Sequence, residues 1–472
     1  MMLASFLAAL AAFLLVGLAS AAKSRGTKAD YYLASSSVRP ALAGLSAVAT
    51  NNSGYMFIGL MGFTYAAGLS SLWLMAGWIV GDFLMSLVVR RQLRQATGRS
   101  HEVTFAGVLA SWSGTEYVVL RKLAALVTLA FLGAYAAAQL NAGGKTLQAV
   151  FDWRPEAGSV LVAAMVAVYC LAGGIRASIW TDVAQSAVMV VAMAAMLVAA
   201  LAATGGPSQA WQSLGSIPGY LDPFPGDLLL PGTGGAVLFV TGWLFAGMSV
   251  IGQPHIMVRF MALDSPGHLR QARAWYYGFY VVFYAMAAGV GLLSRLLLPD
   301  LGALDPELAL PTMALELLPP LFVGIVLAGI FAATMSTADS LVLSCSSALT
   351  HDLLPRRLEK PLELKAVTLL VVALALGIAM TGTQSVFVLV ILAWSALASA
   401  FGPLMYLYAR GYRATEWQAI TMMGVGLAVA LGWRALGLQD MVYEGMPGML
   451  AGWATYHLTR RWATLPTAET AR

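Results

Sequence analysis

The sequence predicts an all-α integral membrane protein with thirteen transmembrane helices, ten of which form two inverted five-helix repeats. Composition, the spacing of apolar segments and the distribution of basic residues point to this fold class. Of the 472 residues, 59% are hydrophobic and only 10% are charged, and the mean hydropathy is +0.76. Such values exclude a water-soluble protein and leave no room for a large soluble domain.

Apolar stretches long enough to cross a bilayer recur along nearly the entire chain. A spanning helix needs about 20 predominantly apolar residues. By this criterion we expect helices at residues 3–22, 41–67, 71–89, 123–147, 160–173, 179–203, 235–258, 274–298, 318–349, 366–381, 386–409, 417–436 and 447–458.

Basic residues are segregated between the two sides that these spans define. If the N-terminus lies outside, the 27 Lys and Arg residues fall on the inner side, Arg356, Arg357 and Arg472 among them, except Lys145, Arg154, Arg295 and Arg434. Inner segments of membrane proteins carry an excess of Lys and Arg. The pattern therefore predicts a multi-pass protein of the cell inner (plasma) membrane with a cytoplasmic C-terminus. The net charge of +5 reflects topology, and we expect no nucleic acid partner.

The first segment has a competing interpretation as a signal peptide, because it ends in the small residues Ala19-Ser20-Ala21-Ala22. A signal peptide needs a basic region before its apolar core, which this segment lacks. Lys23, Arg25 and Lys28 follow directly and would have to be translocated. We therefore interpret the segment as a membrane span.

Two spans are interrupted at corresponding positions. The second contains the polar stretch 49–55, and the seventh contains Gly252-Gln253-Pro254-His255. Each begins a unit of five spans, and an odd number of spans turns the second unit upside down. Broken helices in matching positions of inverted repeats point to a solute site at the membrane midplane. This organisation divides the chain into an N-terminal extra helix with an inner loop, a first repeat, an outer loop, a second repeat, and two C-terminal helices with a short inner tail, at residues 1–40, 41–203, 204–234, 235–409 and 410–472.

Hydroxyl groups beside a carboxylate lie within the ninth span, where Ser336, Thr337 and Asp339 follow one another closely. An ionisable group inside a membrane is costly and usually faces a partner, a cation or water. A hard monovalent cation prefers several oxygen ligands, by the logic that governs calcium sites. Carbonyls freed near Ala49 and Asn52 would complete such a site. The alternative is that these hydroxyls only bond to their own backbone or to neighbouring helices.

Two further acids are predicted inside the membrane. Asp182 stands at the inner end of the sixth span, and Asp82 lies within the third. No Lys or Arg is expected at the depth of Asp182 and Asp339, which favours a cation as their partner. Asp82 carries less information, since it could simply bridge or cap helices.

Three sequence blocks resemble signatures of the sodium:solute symporter family, in the order of that family. They are GGIRASIWTDVAQ at 173–185, GQPHIMVRFMA at 252–262 and MSTADS at 335–340. The likeness extends from about residue 3 to 461 and is strongest to the sodium/proline symporter branch. It implies the LeuT-type inverted-repeat fold with thirteen spans.

The resemblance also implies ligand sets. The sodium ion of the family would be bound by the carbonyls of Ala49, Asn52 and Ala333 and the hydroxyls of Ser336 and Thr337. Some relatives bind a second sodium, and that arrangement would bring together Asp182, Ser336, Asp339 and Ser340, as a second-cation or proton-sensitive site.

The solute site implied by the resemblance consists of Asn51, Ser53, Gly54, Tyr55, Tyr135, Ala246, Val250 and Pro254. Proline symporters carry an acidic residue in place of Asn51 and a Trp in place of Tyr55. Two of their aromatic positions are Ala246 and Val250 here. Fewer aromatic rings and one fewer negative charge would suit a solute larger than proline or differently charged.

These features predict a sodium-coupled symporter of a small organic solute, proline or another amino acid, that works by alternating access in the lipid bilayer. The alternative is a membrane solute sensor acting with a separate signalling partner. A passive channel fits less well, because broken helices that converge on one site suit alternating access. An enzyme is not expected: Gly144-Lys145-Thr146 imitates the end of a phosphate loop, but Gln139 stands where that loop needs Gly.

Overall fold

The computed structural model describes residues 1–299, 305–354, 358–381 and 385–462. Arg356, Arg357 and Arg472, which entered the charge pattern, and the predicted tail beyond residue 462 lie outside these residues. The described part is all-helical and contains no β-strand, apart from one isolated bridge between Val38 and Leu263.

The helices follow the order that the apolar segments predict, with short helices added between them. They are α1 (Met2–Ala19), α2 (Lys28–Leu33), α3 (Pro40–Phe57), α4 (Gly59–Ala67), α5 (Leu72–Ser100), α6 (Phe105–Ala110), α7 (Val118–Phe151), α8 (Pro155–Gly173), α9 (Ile175–Ala203), α10 (Pro207–Gly215), α11 (Gly232–Met248), α12 (Pro254–Met261), α13 (Leu269–Leu297), α14 (Ala309–Leu317), α15 (Pro320–Ser347), α16 (Pro361–Thr381), α17 (Val386–Ala409), α18 (Glu416–Ala435) and α19 (Gly445–Thr459).

Every predicted span coincides with one of these helices or with a broken pair of them. Ten helical stretches of the described residues are long and apolar enough to cross a membrane. The count of thirteen spans stays a prediction, since α19, for example, has only 15 residues. Short helices stand between α5 and α7 and between α13 and α15, namely α6 and α14.

The third predicted span, residues 71–89, lies within a longer helix. Helix α5 continues to Ser100, and both Arg90 and Arg94 are buried. Arg90 forms an ion pair of 2.6 Å with Asp82, and the Nε of Arg94 donates to the Leu263 carbonyl at 2.5 Å. Charges that find partners inside the protein do not end a helix at the membrane surface.

Helix α15 lies at the centre of the bundle and is buried along nearly its whole length. It packs against α1, α3, α7 and α9. Helices α5 and α11 approach each other so closely that a Cβ on Gly81 would lie 2.1 Å from the Leu244 carbonyl oxygen. The two broken helices are thus held against continuous ones.

Both predicted breaks are present. Ser53 has non-helical backbone angles inside α3, and α4 begins only after Ile58. In the second unit α11 ends at Met248, a 3-10 turn covers Ser249–Gly252, and Pro254 begins α12. Proline lacks an N–H, so it starts a helix without losing a hydrogen bond.

Candidate functional site

The break in α3 is centred on Ser53, whose φ of 45° and ψ of 177° interrupt the helical hydrogen bonds. The Ser53 hydroxyl accepts a hydrogen bond from the Tyr55 amide at 3.1 Å, and the Gly54 amide donates to Oε1 of Gln139 at 2.9 Å. Glycine is needed here because a Cβ on residue 54 would lie 2.5 Å from Cγ2 of Thr334. Side chains thus replace the partners that the backbone loses.

The predicted sodium ligands lie where α15 passes this break. The hydroxyl of Ser336 donates to the carbonyl oxygens of Ala49 at 3.2 Å and of Ala333 at 3.1 Å. Three of the five predicted ligand oxygens therefore form one compact group. A cation among them would replace these hydrogen bonds, because the hydroxyl can turn its hydrogen away and present a lone pair.

The other two predicted ligands are the Thr337 hydroxyl and the Asn52 carbonyl. The Thr337 hydroxyl donates to the Thr50 carbonyl at 2.8 Å, so the structure adds an oxygen that the sequence did not single out. Thr50 also approaches Ser340 through its hydroxyl at 3.3 Å. The side chain of Asn52 is buried, and its two polar atoms have no hydrogen-bond partner among the described residues.

Asp182 and Asp339 do approach a common point, but the expectation that no Lys or Arg is near them is wrong. Nη2 of Arg259 lies 3.4 Å from Oδ2 of Asp182 and 3.8 Å from Oδ1 of Asp339. The same nitrogen donates a short hydrogen bond to the hydroxyl of Ser340. The predicted second-cation group is therefore gathered around a guanidinium. Arg259 was misplaced because its position in the sequence suggested the inner end of the seventh span.

The predicted solute residues are all buried around the two breaks: Asn51, Ser53, Gly54, Tyr55, Tyr135, Ala246, Val250 and Pro254. Within the described chain, several buried polar atoms in this region have no partner. They include Oδ1 of Asn51, the hydroxyls of Tyr55 and Tyr135, Nε2 of Gln139, Oε1 of Gln253, both ring nitrogens of His255, and the indole nitrogens of Trp78 and Trp394. Buried polar groups are normally paired, so such a concentration indicates a ligand site.

A continuous series of aromatic rings crosses this region. Tyr55 lies 5.8 Å from Trp78, which lies 4.9 Å from Trp394. His255 then stands 6.3 Å from Trp394 and 5.6 Å from Tyr135. Two rings of this series, the indoles of Trp78 and Trp394, come from α5 and α17. The sequence held a signal for His255, which follows Pro254 in the broken helix, but none for the two tryptophans.

Asn51 is held by a side chain from α13. Its Nδ2 donates to the hydroxyl of Tyr276 at 2.5 Å. The Tyr276 ring lies 4.4 Å from the guanidinium of Arg90, which in turn pairs with Asp82. Asp82 therefore has a structural partner two turns along its own helix, as expected for an acid that the sequence did not place in any site.

Polar clusters tie the helices together at the two ends of the site. At one end, Lys145 pairs with Asp305 and Glu307 at 2.9 and 2.6 Å. Glu307 also accepts hydrogen bonds from the Ser385 hydroxyl and from the amide of Phe387, whose ring stacks 5.4 Å from Tyr55. The start of α17 is thus fixed over the aromatic series.

At the other end, Arg121 pairs with Glu102 at 2.6 Å and with Asp352 at 3.2 Å. Burial alone would raise the pKa of Glu102, but hydrogen bonds with His351 and Arg121 lower it to about 2. A small cavity lined by Pro254, Val258 and Asp352, among others, lies between this cluster and the second break. An ion-pair cluster therefore stands on each side of the residues at the two breaks.

Comparisons with known proteins place these features in a family. The family model described as the sodium:solute symporter family matches residues 31–426. The high-affinity proline transporter PutP of Bacillus subtilis is 30% identical over 433 residues, which cover 89% of this chain and 90% of that protein. The sodium/proline symporter of Escherichia coli is 30% identical over 439 residues, with 90% and 86% covered.

Solved structures show the same fold. A Na⁺-coupled sialic acid symporter in a substrate-bound outward-open state superposes with a TM-score of 0.80 at 20% identity, over 98% of both chains. Mhp1, a nucleobase-cation-symport-1 family transporter, superposes with a TM-score of 0.58 at 16% identity, over 92% of this chain and 94% of that one. The chain therefore shares its fold with these two structures.

Proposed function

Because the chain belongs to the sodium:solute symporter family, and so carries out sodium-coupled symport of a small solute across a membrane, we propose that its solute is proline or a closely related amino acid. Relatives with 30% identity over most of their length are proline transporters. The observation that supports the proposal most is the group of unpartnered polar atoms and aromatic rings at the two breaks.

The solute region offers neutral polar groups to a ligand. Asn51, Gln253 and His255 supply amide and imidazole groups. The other residues that the sequence predicts for the solute site are buried near the two breaks. A zwitterion suits this environment because Nε2 of Gln139 and a ring N–H of His255, which have no partner among the described residues, can donate to a carboxylate. Amide and hydroxyl oxygens can accept from an ammonium. The aromatic rings would cover an apolar ring such as that of proline.

We assign the coupling sodium to the group at the break in α3. Its ligands are the carbonyls of Ala49, Asn52 and Ala333 and the hydroxyls of Ser336 and Thr337. Support comes from the distances near 3 Å that join Ser336 to Ala49 and Ala333. The Thr50 carbonyl, bonded to Thr337, is an additional candidate ligand.

Alternating access would proceed through the ion-pair clusters at the two ends. With thirteen spans and the N-terminus outside, the cluster of Lys145 and Glu307 faces the outside and the cluster of Arg121 and Glu102 faces the cytoplasm. Opening of one cluster while the other stays closed would expose the solute region to one side at a time. The buried state of the solute residues corresponds to both clusters being closed.

Uptake by proteoliposomes tests the proposal. Radiolabelled proline, other amino acids, carboxylates and sugars are compared with and without an inward sodium gradient. We expect proline or a similar amino acid to accumulate only with the gradient, and a potassium gradient of equal size serves as the control. Accumulation of a carboxylate or sugar, but of no amino acid, would contradict the assigned solute.

A further inference from the structure

Arg259 is a completely buried arginine in the middle of the protein, and it belongs to neither the proposed sodium site nor the proposed solute site. It lies in α12, one turn after Pro254 and His255. Burying a guanidinium is costly unless it is paired and hydrogen-bonded. Its partners therefore indicate why the protein retains it.

Those partners come from three other helices. Nε of Arg259 donates to the hydroxyl of Ser46 in α3 at 3.3 Å, and Nη2 donates to the hydroxyl of Ser178 in α9 at 2.7 Å. Ser340 in α15 accepts a further, short hydrogen bond. Two of these hydroxyls in turn bond to carboxylates, Ser46 to Asp182 at 2.6 Å and Ser178 to Asp339 at 2.8 Å.

With both acids ionised, the charges of this cluster do not cancel. Asp182 and Asp339 then supply two negative charges, and Arg259 supplies one guanidinium, which stays protonated in proteins. Oδ1 of Asp182 also has no hydrogen-bond partner in the described part of the chain. One more positive charge would therefore balance the cluster, and two would leave it positive.

The cluster is joined directly to the assigned sodium site. The Ser340 hydroxyl, which contacts Arg259, lies 2.6 Å from the Ser336 carbonyl oxygen and 2.7 Å from Oδ1 of Asp339. On the other side, Nη1 of Arg259 donates to the carbonyl of His255 at 2.8 Å, beside the solute region. Arg259 thus connects the sodium helix α15 with the broken helix α12.

We infer that Arg259 is a tethered cation that takes the place of a second metal ion between Asp182 and Asp339, so that each solute is coupled to a single sodium ion. The inference rests on the proposed sodium site. In this arrangement one sodium at the Ser336 group supplies the missing charge, and its binding is transmitted through Ser340 and Arg259 to the solute helix.

The coupling number of the wild-type protein is the first test. Equilibrium binding of ²²Na⁺ to the purified protein should saturate at one ion per chain, and the reversal potential of uptake should give one sodium per solute. Two sodium ions by either method would overturn the inference. Binding of ²²Na⁺ without sodium-driven uptake of any solute would instead contradict the proposed function. The number of sodium ions bound per chain would still test the inference.

Charge variants give the second test. Arg259→Gln leaves two carboxylates without their cation, so a second sodium should enter and the Hill coefficient of sodium activation should rise from about 1 to about 2. The double variant Arg259→Gln with Asp339→Asn should return it to about 1, and Arg259→Lys should keep it there. A structural role alone would lower activity without this pattern.

An unchanged Hill coefficient in a folded Arg259→Gln protein would overturn the inference. Should that variant fail to fold, Arg259→Lys and the double variant remain, since both preserve the balance of charge. A Hill coefficient of about 2 in either of them would contradict the inference equally.

Discussion

Two polar regions lie one helical turn apart on α15, and they solve the problem of polarity inside a membrane differently. Around Ser336, neutral hydroxyls and carbonyls bond to one another, and these bonds can be exchanged for bonds to an ion. Around Asp339, charged groups from several helices meet at Arg259, which cannot leave. The first region therefore offers oxygen atoms that can exchange their partners, as the proposed sodium site requires, whereas the second holds fixed charge.

The largest expected effect concerns the fixed charge. Arg259→Leu removes the cation from two buried carboxylates, and breaking a buried ion pair in this way costs about 3–5 kcal/mol. We expect a strong loss of thermal stability in detergent. Arg154→Leu is the control, because Arg154 is exposed, and its stability should change by less than about 0.5 kcal/mol. If Arg259→Leu and Arg154→Leu were equally stable, Arg259 would not stabilise the two buried acids, and the region around Asp339 would not differ from the region around Ser336 in this respect.

Removal of a ligand oxygen should act on sodium and leave folding largely intact. Ser336→Ala deletes the hydroxyl between the Ala49 and Ala333 carbonyls, and an interaction with a charged group is worth about 1.5–3 kcal/mol. The half-saturating sodium concentration for uptake should rise roughly 10- to 100-fold. Ser186→Ala serves as the control, since that hydroxyl bonds to its own turn at Val183. The same shift in both variants would remove Ser336 from the site.

Neutralising one acid should weaken sodium binding in a different way. Asp339→Asn removes charge near the site but none of the assigned ligands. We expect the half-saturating sodium concentration to rise roughly tenfold, about 1.4 kcal/mol, with an unchanged Hill coefficient. A Hill coefficient that falls from about 2 to about 1 would instead restore the two-sodium arrangement that the sequence suggested.

The smallest expected effect is on the solute. Tyr135→Phe removes a buried hydroxyl that lies beside Ser53 and Trp394 and meets no hydrogen-bond geometry in the described chain, so stability should fall little. A lost neutral hydrogen bond of about 0.5–1.5 kcal/mol would raise the half-saturating solute concentration roughly 2- to 10-fold. Sodium binding without solute should be unaffected.

Tyr220→Phe provides the matched control for this variant. The Tyr220 hydroxyl donates to the Thr64 carbonyl at 3.1 Å, so its loss should lower stability by about 1 kcal/mol and leave solute uptake unchanged. If the two tyrosine variants behaved alike, the unpartnered hydroxyl of Tyr135 would not mark a solute contact.

Much of this architecture could be predicted from the sequence, because its determinants are local. A run of apolar residues forms a helix in a membrane whatever surrounds it. The polar stretch before Tyr55 and the proline at residue 254 interrupt their helices through their own backbone properties. The group of Ala49 and Ser336 was also expected, since the resemblance identified both.

The partner of a buried charge could not be predicted in this way. Arg259 and Arg90 were both counted with the inner segments, yet both are buried against acids. Position along the chain gives the depth of a charge only where a helix is continuous and ends at the membrane surface. A broken helix removes that relation.

The sequence by itself therefore determined that this protein is a helical membrane protein with two broken helices and a hydroxyl-rich ninth span. Only the tertiary structure decided that Trp78 and Trp394 lie beside Tyr55 and His255 and that Arg259 stands between Asp182 and Asp339. The physical reason is that helix formation in a membrane depends on each segment's own residues, whereas the pairing of buried side chains depends on which distant helices pack together.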